Sequence, residues 1–249
     1  MILLDTHNPR AKSLHDDFSR EQRKFLEELD FNIVIGGDGW MLDCIRTHGP
    51  ERVFLGINAG TLGFLLHDIE NNKKFIEMLK GHEWKTFHFP LLKIDGISHT
   101  DTHFSALALN DVYVDRESGR AANLRVTIDG EEVVERLVCD GLVVATSLGS
   151  TAYSSSAGGS PSHPLIRALH ITPICPHTPR LRSFIVPETS VITIEGLNHE
   201  RRPIQAVSDG VDHGRAKSLT IQTADKEVRI AYLNDHTFTE TMIRKILRS

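Results

Sequence analysis

One junction constrains the fold more than any other feature. The apolar run at 31–35 (FNIVI) stops at Gly36-Gly37-Asp38-Gly39, after which Met41, Leu42 and Ile45 fall on one helical face that Gly49-Pro50 closes. A buried strand that turns through glycine straight into a helix is the opening of an α/β unit. The surrounding pattern agrees. Residues 2–5 (ILLD) form a short β-rich run, and a polar segment with helical spacing follows through Phe18, Phe25 and Leu26. A further apolar run covers 53–57 (VFLGI), Asn58-Ala59-Gly60 forms a turn, and 71–80 is helical in spacing. Alternation of strand and helix predicts a parallel sheet buried on both faces.

The texture changes at Pro90. The runs become short and alternating (LLKIDG, ALALNDVYV, NLRVTIDGEEVVERL, GLVVAT, SVITIEG, PIQAVSDG, SLTIQTA), which predicts a β-rich second domain. Asp-Gly recurs at 95–96, 129–130, 140–141 and 209–210, and each step is expected to be a hairpin turn. The predicted division is an α/β domain over 1–89, a β-rich domain over 90–235, and a helical segment over 236–249 returning to the first domain.

Composition narrows the function classes. A formal net charge of -5 gives no general attraction to nucleic acid or an anionic membrane, although a compact anion site built from backbone N–H groups needs no net charge. Cys44, Cys139 and Cys175 are too scattered for a disulfide framework or a zinc cluster and read as reduced cytoplasmic thiols. The opening MILLDTHNPR lacks the basic region and cleavage site of a secretory leader, and no apolar stretch reaches the roughly 20 residues of a membrane span. The expected protein is soluble and cytoplasmic, with small-molecule partners.

Two segments carry the chemistry. In the Gly36–Gly39 turn, glycine lets backbone approach a phosphate and the helix start offers unpaired N–H groups. Asp38 is either a helix N-cap or a chemical group, a general base or a magnesium ligand. The second segment is Asp140-Gly141-LVVAT leading into Ser147-Leu148-Gly149-Ser150-Thr151-Ala152-Tyr153-Ser154-Ser155-Ser156-Ala157-Gly158-Gly159. A strand ending in small hydroxyl residues and glycine suits a pocket with many hydrogen bonds. Neither G-x-x-x-x-G-K-[ST], G-x-G-x-x-G nor G-x-S-x-G occurs, which disfavours a P-loop kinase, an ordinary NAD-dependent dehydrogenase and a hydrolase.

The order GGDG, then Asn58-Ala59-Gly60-Thr61-Leu62-Gly63-Phe64-Leu65, then Asn110-Asp111, then DGLVVATSLGSTAYSSSAGG resembles the NAD kinase family, compact bacterial type, over roughly residues 31–215. GGDG alone is shared with lipid kinases and 6-phosphofructokinase-like enzymes, whereas the GSTAY segment with its upstream Asp-Gly is close to diagnostic. The resemblance implies a Rossmann-like α/β domain followed by a β-sandwich-like domain, with a site between them. It further implies magnesium or another divalent metal, held mainly through donor phosphates, ATP or polyphosphate as donor, and a homodimer or homotetramer. The implied activity is phosphorylation of the adenosine ribose 2′-hydroxyl of NAD, giving NADP.

Carried over by position, the resemblance makes Asp38 the catalytic acid–base residue and Gly36, Gly37 and Gly39 the donor-phosphate loop. Gly39 also borders NAD. Phe64 would pack on the adenine, the alternative being an ordinary core residue. Asn110 and Asp111 would bind ribose hydroxyls and Asp140 the nicotinamide end. Thr151, Ala152, Tyr153 and Ser156 would line the dinucleotide pocket, and Asp209 would close it.

Three positions depart from the family pattern. Trp40 stands where Thr or Ser is usual; its ring either turns inward as core or, the preferred expectation, fills part of the donor pocket. Asp111 replaces Glu, one methylene shorter. Ala145-Thr146-Ser147-Leu148-Gly149-Ser150 replaces Ser-Thr-Pro-Thr-Gly-Ser. His163, His170, His177 and His213 lack metal-ligand spacing and are expected at the surface or in loops, with His213 near enough to Asp209-Gly210 to approach the site. The competing expectations are a lipid or other small-molecule kinase and a dinucleotide-binding protein with weak catalysis.

Overall fold

The computed structural model describes residues 1–247, without the side chains of Lys245 and Leu247. It divides into two compact units, one comprising Met1–Phe89 with the chain from Glu227 onward, the other Pro90–Lys226.

The first unit runs β1 (Ile2–Leu4), α1 (Pro9–Asp17), α2 (Arg20–Glu28), β2 (Phe31–Gly36), α3 (Asp38–His48), β3 (Val53–Asn58) and α4 (Asn72–Lys80), ending within β4 (Trp84–Ser98). Strands β1, β2 and β3 are parallel neighbours, as the apolar runs predicted. Every residue of β2 is buried, because a parallel strand covered by helices on both sides presents no solvent face. Phe31, Ile33 and Ile35 of β2 join Ala11, Phe18 and Leu26 of the α1–α2 segment and Phe75, Ile76 and Leu79 of α4 in one core. Local chemistry sets the helix starts: Asn8 caps α1 ahead of Pro9, and Ser19 with Gln22 forms a capping box on α2.

The second unit is antiparallel. It contains β5 (His103–Ala108), β6 (Asp111–Arg116), β7 (Ala122–Ile128), β8 (Glu131–Cys139), β9 (Gly141–Thr146), the short α5 (Tyr153–Ser156), β10 (Ala168–Ile174), β11 (Phe184–Pro187), β12 (Ile192–Gly196), β13 (Ile204–Ser208) and most of β14 (Val211–Leu233). Strand β14 serves two arms. It pairs with β13, which continues through β6, β9 and β10 to β11, and it pairs further along with β12, which continues through β7 to β8. Val112, Val114, Leu142, Val144 and Leu169 from one arm meet Leu124, Val126, Leu137, Ile192 and Ile194 from the other in a single core, so the sandwich-like expectation holds.

Two of the four Asp-Gly steps are not hairpin turns. Asp129-Gly130 and Asp209-Gly210 have positive φ at both residues and join β7 to β8 and β13 to β14. Gly96 instead lies within β4 and Gly141 opens β9. At Gly96 a Cβ would strike the Phe104 ring, and at Gly141 it would strike the Val114 carbonyl. Close approach, not turn geometry, requires glycine there.

After β14 the chain, back in the first unit, forms α6 (Phe238–Met242) and a π-helical turn over Ile243–Leu247; the rest of the predicted helical segment, 248–249, lies outside the described residues. Arg229 and Ile230 of β14 extend the parallel sheet beside Val53 and Phe54. Phe238 packs edge-on against Phe87 and Tyr232, which anchors α6 in this unit.

Candidate functional site

In the first unit the loops at the C-terminal ends of β2 and β3 meet. The Ala59 amide donates to the Gly36 carbonyl (2.7 Å), and a Cβ on Gly60 would lie 3.0 Å from the Gly37 Cα. Such strand ends, next to the N-terminus of a helix, form the usual ligand crevice of an open α/β sheet. Asp38 is not the N-cap of α3. Gly37 holds that position without a side-chain cap, and the Asp38 carboxylate accepts the backbone amides of Phe64 (3.1 Å) and Leu65 (2.8 Å). A carboxylate gripped at both oxygens by another loop has a fixed direction, which a catalytic group needs. The grip depends on Asn58, whose amide donates to Asp68 and accepts the Gly60 N–H, while Gly63 passes it at φ 65° with no room for a Cβ. Burial and the Asp38 charge push the phenol of Tyr232 above its ordinary range.

The structure decides between the two expectations for Trp40. Its indole N–H donates to the Leu3 carbonyl (3.2 Å), and its ring covers Gly36, where a Cβ would lie 2.5 Å from Cδ1. Trp40 is packing against β1 and β2, and the preferred expectation of a ring filling the donor pocket is corrected. Phe64 is half-buried, and its backbone amide is one of the two that hold Asp38. Gly39 is exposed with open space around it.

In the second unit a second constellation forms around Asn110 and Asp111. The Asp209 carboxylate accepts three successive amides, from Leu109 (2.6 Å), Asn110 (2.9 Å) and Asp111 (3.2 Å). Asp209 therefore shapes the turn that presents Asn110 and Asp111. Asp111 is 5 % exposed; burial, then repulsion from Asp209, raises its carboxyl to about 7, with the Tyr153 amide N–H acting in the opposite direction. Tyr113 shares the Asp111 face of β6 and meets the Tyr153 ring edge-on at 4.8 Å. Sequence reading missed Tyr113, although its i+2 spacing from Asp111 on a strand was the available signal. Asp140 binds the Arg116 Nε through Oδ1 at 2.6 Å, so one of its oxygens is already occupied.

The hydroxyl-rich loop splits into two functions. Ser147, Ser150 and Ser154 are buried and spent on scaffolding. Ser150 Oγ donates to the Ser147 carbonyl (2.7 Å) and accepts the Ser162 amide, and Ser154 pairs with Thr172 of β10 (2.8 Å). Thr151, Ala152, Tyr153 and Ser156 stay accessible and are available to a ligand. His170, expected at the surface, is buried in β10 with Nε2 2.8 Å from Ser162 Oγ, and burial lowers its pKa. His213 pairs with Ser208 (2.6 Å) and stacks on Phe104, and burial lowers its pKa too.

Among the described residues, no group of three or more His, Cys, Asp or Glu side chains could hold a metal ion, and no helix is long and apolar enough to cross a membrane. The three cysteines are free.

Comparison with known proteins follows the same lines. The sequence model of the ATP-NAD kinase C-terminal domain matches residues 109–232. The NAD kinase of Rickettsia bellii is 34 % identical over 227 residues, covering 88 % of this chain and 86 % of the relative. That of Rickettsia africae is 33 % identical over 250 residues, covering 98 % and 96 %. Among solved structures, yeast NADH kinase complexed with NADH superposes with a TM-score of 0.78 at 26 % identity, covering 96 % of this chain and 76 % of that one. An NAD kinase from Archaeoglobus fulgidus in complex with ATP has the same fold, with a TM-score of 0.79 at 23 % identity, covering 100 % and 98 %.

Proposed function

The chain belongs to the NAD kinase family, and on that premise we propose that it transfers the terminal phosphoryl group of ATP to the adenosine ribose 2′-hydroxyl of NAD, giving NADP and ADP. The observation that carries this is the Asp38 carboxylate, held in one direction by the Phe64 and Leu65 amides beside a glycine loop at the strand ends.

Asp38 orients the 2′-hydroxyl and accepts its proton while the ribose oxygen bonds to the γ-phosphorus and the bond from that phosphorus to the β-phosphate oxygen breaks. Gly37 and Gly39 offer their backbone to the donor phosphates, while Gly36, buried beneath the Trp40 ring and bonded through its carbonyl to the Ala59 amide, supports that loop from below. Phe64 covers the adenine, Asn110 and Asp111 bind ribose hydroxyls, and Asp140 serves the nicotinamide end. Thr151, Ala152, Tyr153 and Ser156 line the dinucleotide pocket, whose Asn110–Asp111 rim Asp209 supports. A bound magnesium ion supplies charge neutralisation at the phosphates. It would be held mainly by the donor's own phosphate oxygens, which fits this chain because no cluster of His, Cys, Asp or Glu among the described residues offers a separate metal site and Asp38 is kept for the hydroxyl proton. Polyphosphate is a second candidate donor. The free thiols support a cytoplasmic setting, and a homodimer or homotetramer is the assembly proposed.

A coupled assay of NADP formation from NAD with ATP or polyphosphate tests the reading. Asp38→Asn keeps the size of the side chain but loses its basicity, so kcat should fall at least about 10²-fold while the NAD Kd stays within a few-fold. A variant retaining more than about a tenth of the parental kcat would remove Asp38 from the role of base.

A further inference from the structure

The two loops at the strand ends contain no cation. Between Gly36 and Trp40, and between Asn58 and Leu66, the only charged side chain is Asp38. A nucleoside triphosphate brought to such loops meets a carboxylate and needs fixed positive charge from elsewhere. The β1–α1 turn supplies a candidate. Asn8 accepts the amides of Arg10 (3.0 Å) and Ala11 (3.3 Å) while its own amide donates to the Ala59 carbonyl (3.2 Å), so the first turn of α1 is tied to the turn after β3. From there Arg10 Nη1 donates to the Gly60 carbonyl at 2.9 Å. Gly60 in turn lies against Gly37 of the GGDG loop. The guanidinium is exposed and has no carboxylate partner among the described residues. One of its five N–H donors is used, leaving a planar fork suited to phosphate oxygens.

We propose that Arg10 binds the phosphates of the nucleotide donor, its guanidinium positioned beside the GGDG loop by the bond to Gly60 and by the Asn8 cap. This rests on the donor being ATP and deepens that reading. The same bond to Gly60 would also serve a plain structural clamp, and the two roles separate experimentally.

Arg10→Gln removes the charge and, being two bonds shorter, the reach to Gly60; Arg10→Lys keeps the charge and nearly the same reach but removes the fork. In NADP-formation kinetics with the full chain, Arg10→Gln should raise the KM for ATP about tenfold, the loss expected for a charge-assisted hydrogen bond, with the KM for NAD within about twofold. Arg10→Lys should fall between variant and parent, and the melting temperature should be unchanged. An ATP KM within about twofold of the parent overturns the proposal, and so does an equal rise in both KM values with a lowered melting temperature. If the parent forms no NADP, the functional reading fails, and calorimetric titration with MgATP still decides the point. Binding about tenfold weaker in Arg10→Gln sustains it, while equal binding, or none to the parent, overturns it.

Discussion

Asp111→Asn should make the protein more stable and a worse enzyme, with a pH dependence that identifies the cause. The carboxyl is 5 % exposed and faces Asp209, whose own carboxylate is locked by three backbone amides and cannot swing away. Its pKa rises from 3.8 to about 7, chiefly through burial. In the unfolded chain the group loses its proton near 3.8, whereas in the native protein it keeps it to about 7. The native state therefore holds the extra proton across that window, and stability is lost as the pH rises through it. At about 1.4 kcal/mol per pH unit the full window is worth about 4 kcal/mol, an upper bound because water can reach part of the pocket. Asparagine carries no charge, still accepts the Tyr153 amide and can donate toward Asp209. The variant should gain about 1–3 kcal/mol over the parent at pH 8, several degrees in melting temperature, and much less at pH 5. At pH 8, where the parent's carboxyl is ionised, its KM for NAD should rise about tenfold, because a neutral amide is the weaker acceptor for ribose hydroxyls. Melting curves of both proteins from pH 5 to 8 provide the test. A difference that stays flat across that range, or a less stable variant at pH 8, would refute the link between burial, Asp209 and the raised pKa.

Tyr153→Ala should raise the KM for NAD with a smaller effect on kcat, since the ring held edge-on to Tyr113 serves ground and transition states alike; steady-state kinetics showing a pure kcat defect would contradict this. Trp40→Thr should lower stability by about 2 kcal/mol through loss of the Leu3 hydrogen bond and of the packing over Gly36, with the KM for ATP within about twofold of the parent. Thermal melts and donor titrations check both halves, and a marked improvement in ATP kinetics would return Trp40 to the donor pocket.

What the sequence by itself determined is what local patterning encodes. The run at 31–35 is apolar at nearly every position, and in the structure it is a strand buried on both faces; the glycines after it mark where backbone turns into α3. Asp129-Gly130 and Asp209-Gly210 were readable as turns because positive φ is a property of those residues and their neighbours. Gly96 and Gly141 carry the same two letters but answer to Phe104 and to the Val114 carbonyl, which no local pattern reveals. The same limit governs the site. Asp38 looked equally like an N-cap until Phe64 and Leu65 came to its oxygens, and Trp40 looked like a pocket residue until Leu3 offered a carbonyl. Of the serines after β9, some turn toward β10 and some toward solvent in a loop too irregular for periodicity to sort. Asp209 finds its amide partners about a hundred residues earlier in the chain, and Arg10 reaches Gly60 fifty residues later. Periodicity records which side of a segment avoids water, because that preference acts residue by residue. A polar side chain takes its partner from whichever distant segment the fold lays beside it, so only the tertiary structure could decide those pairings.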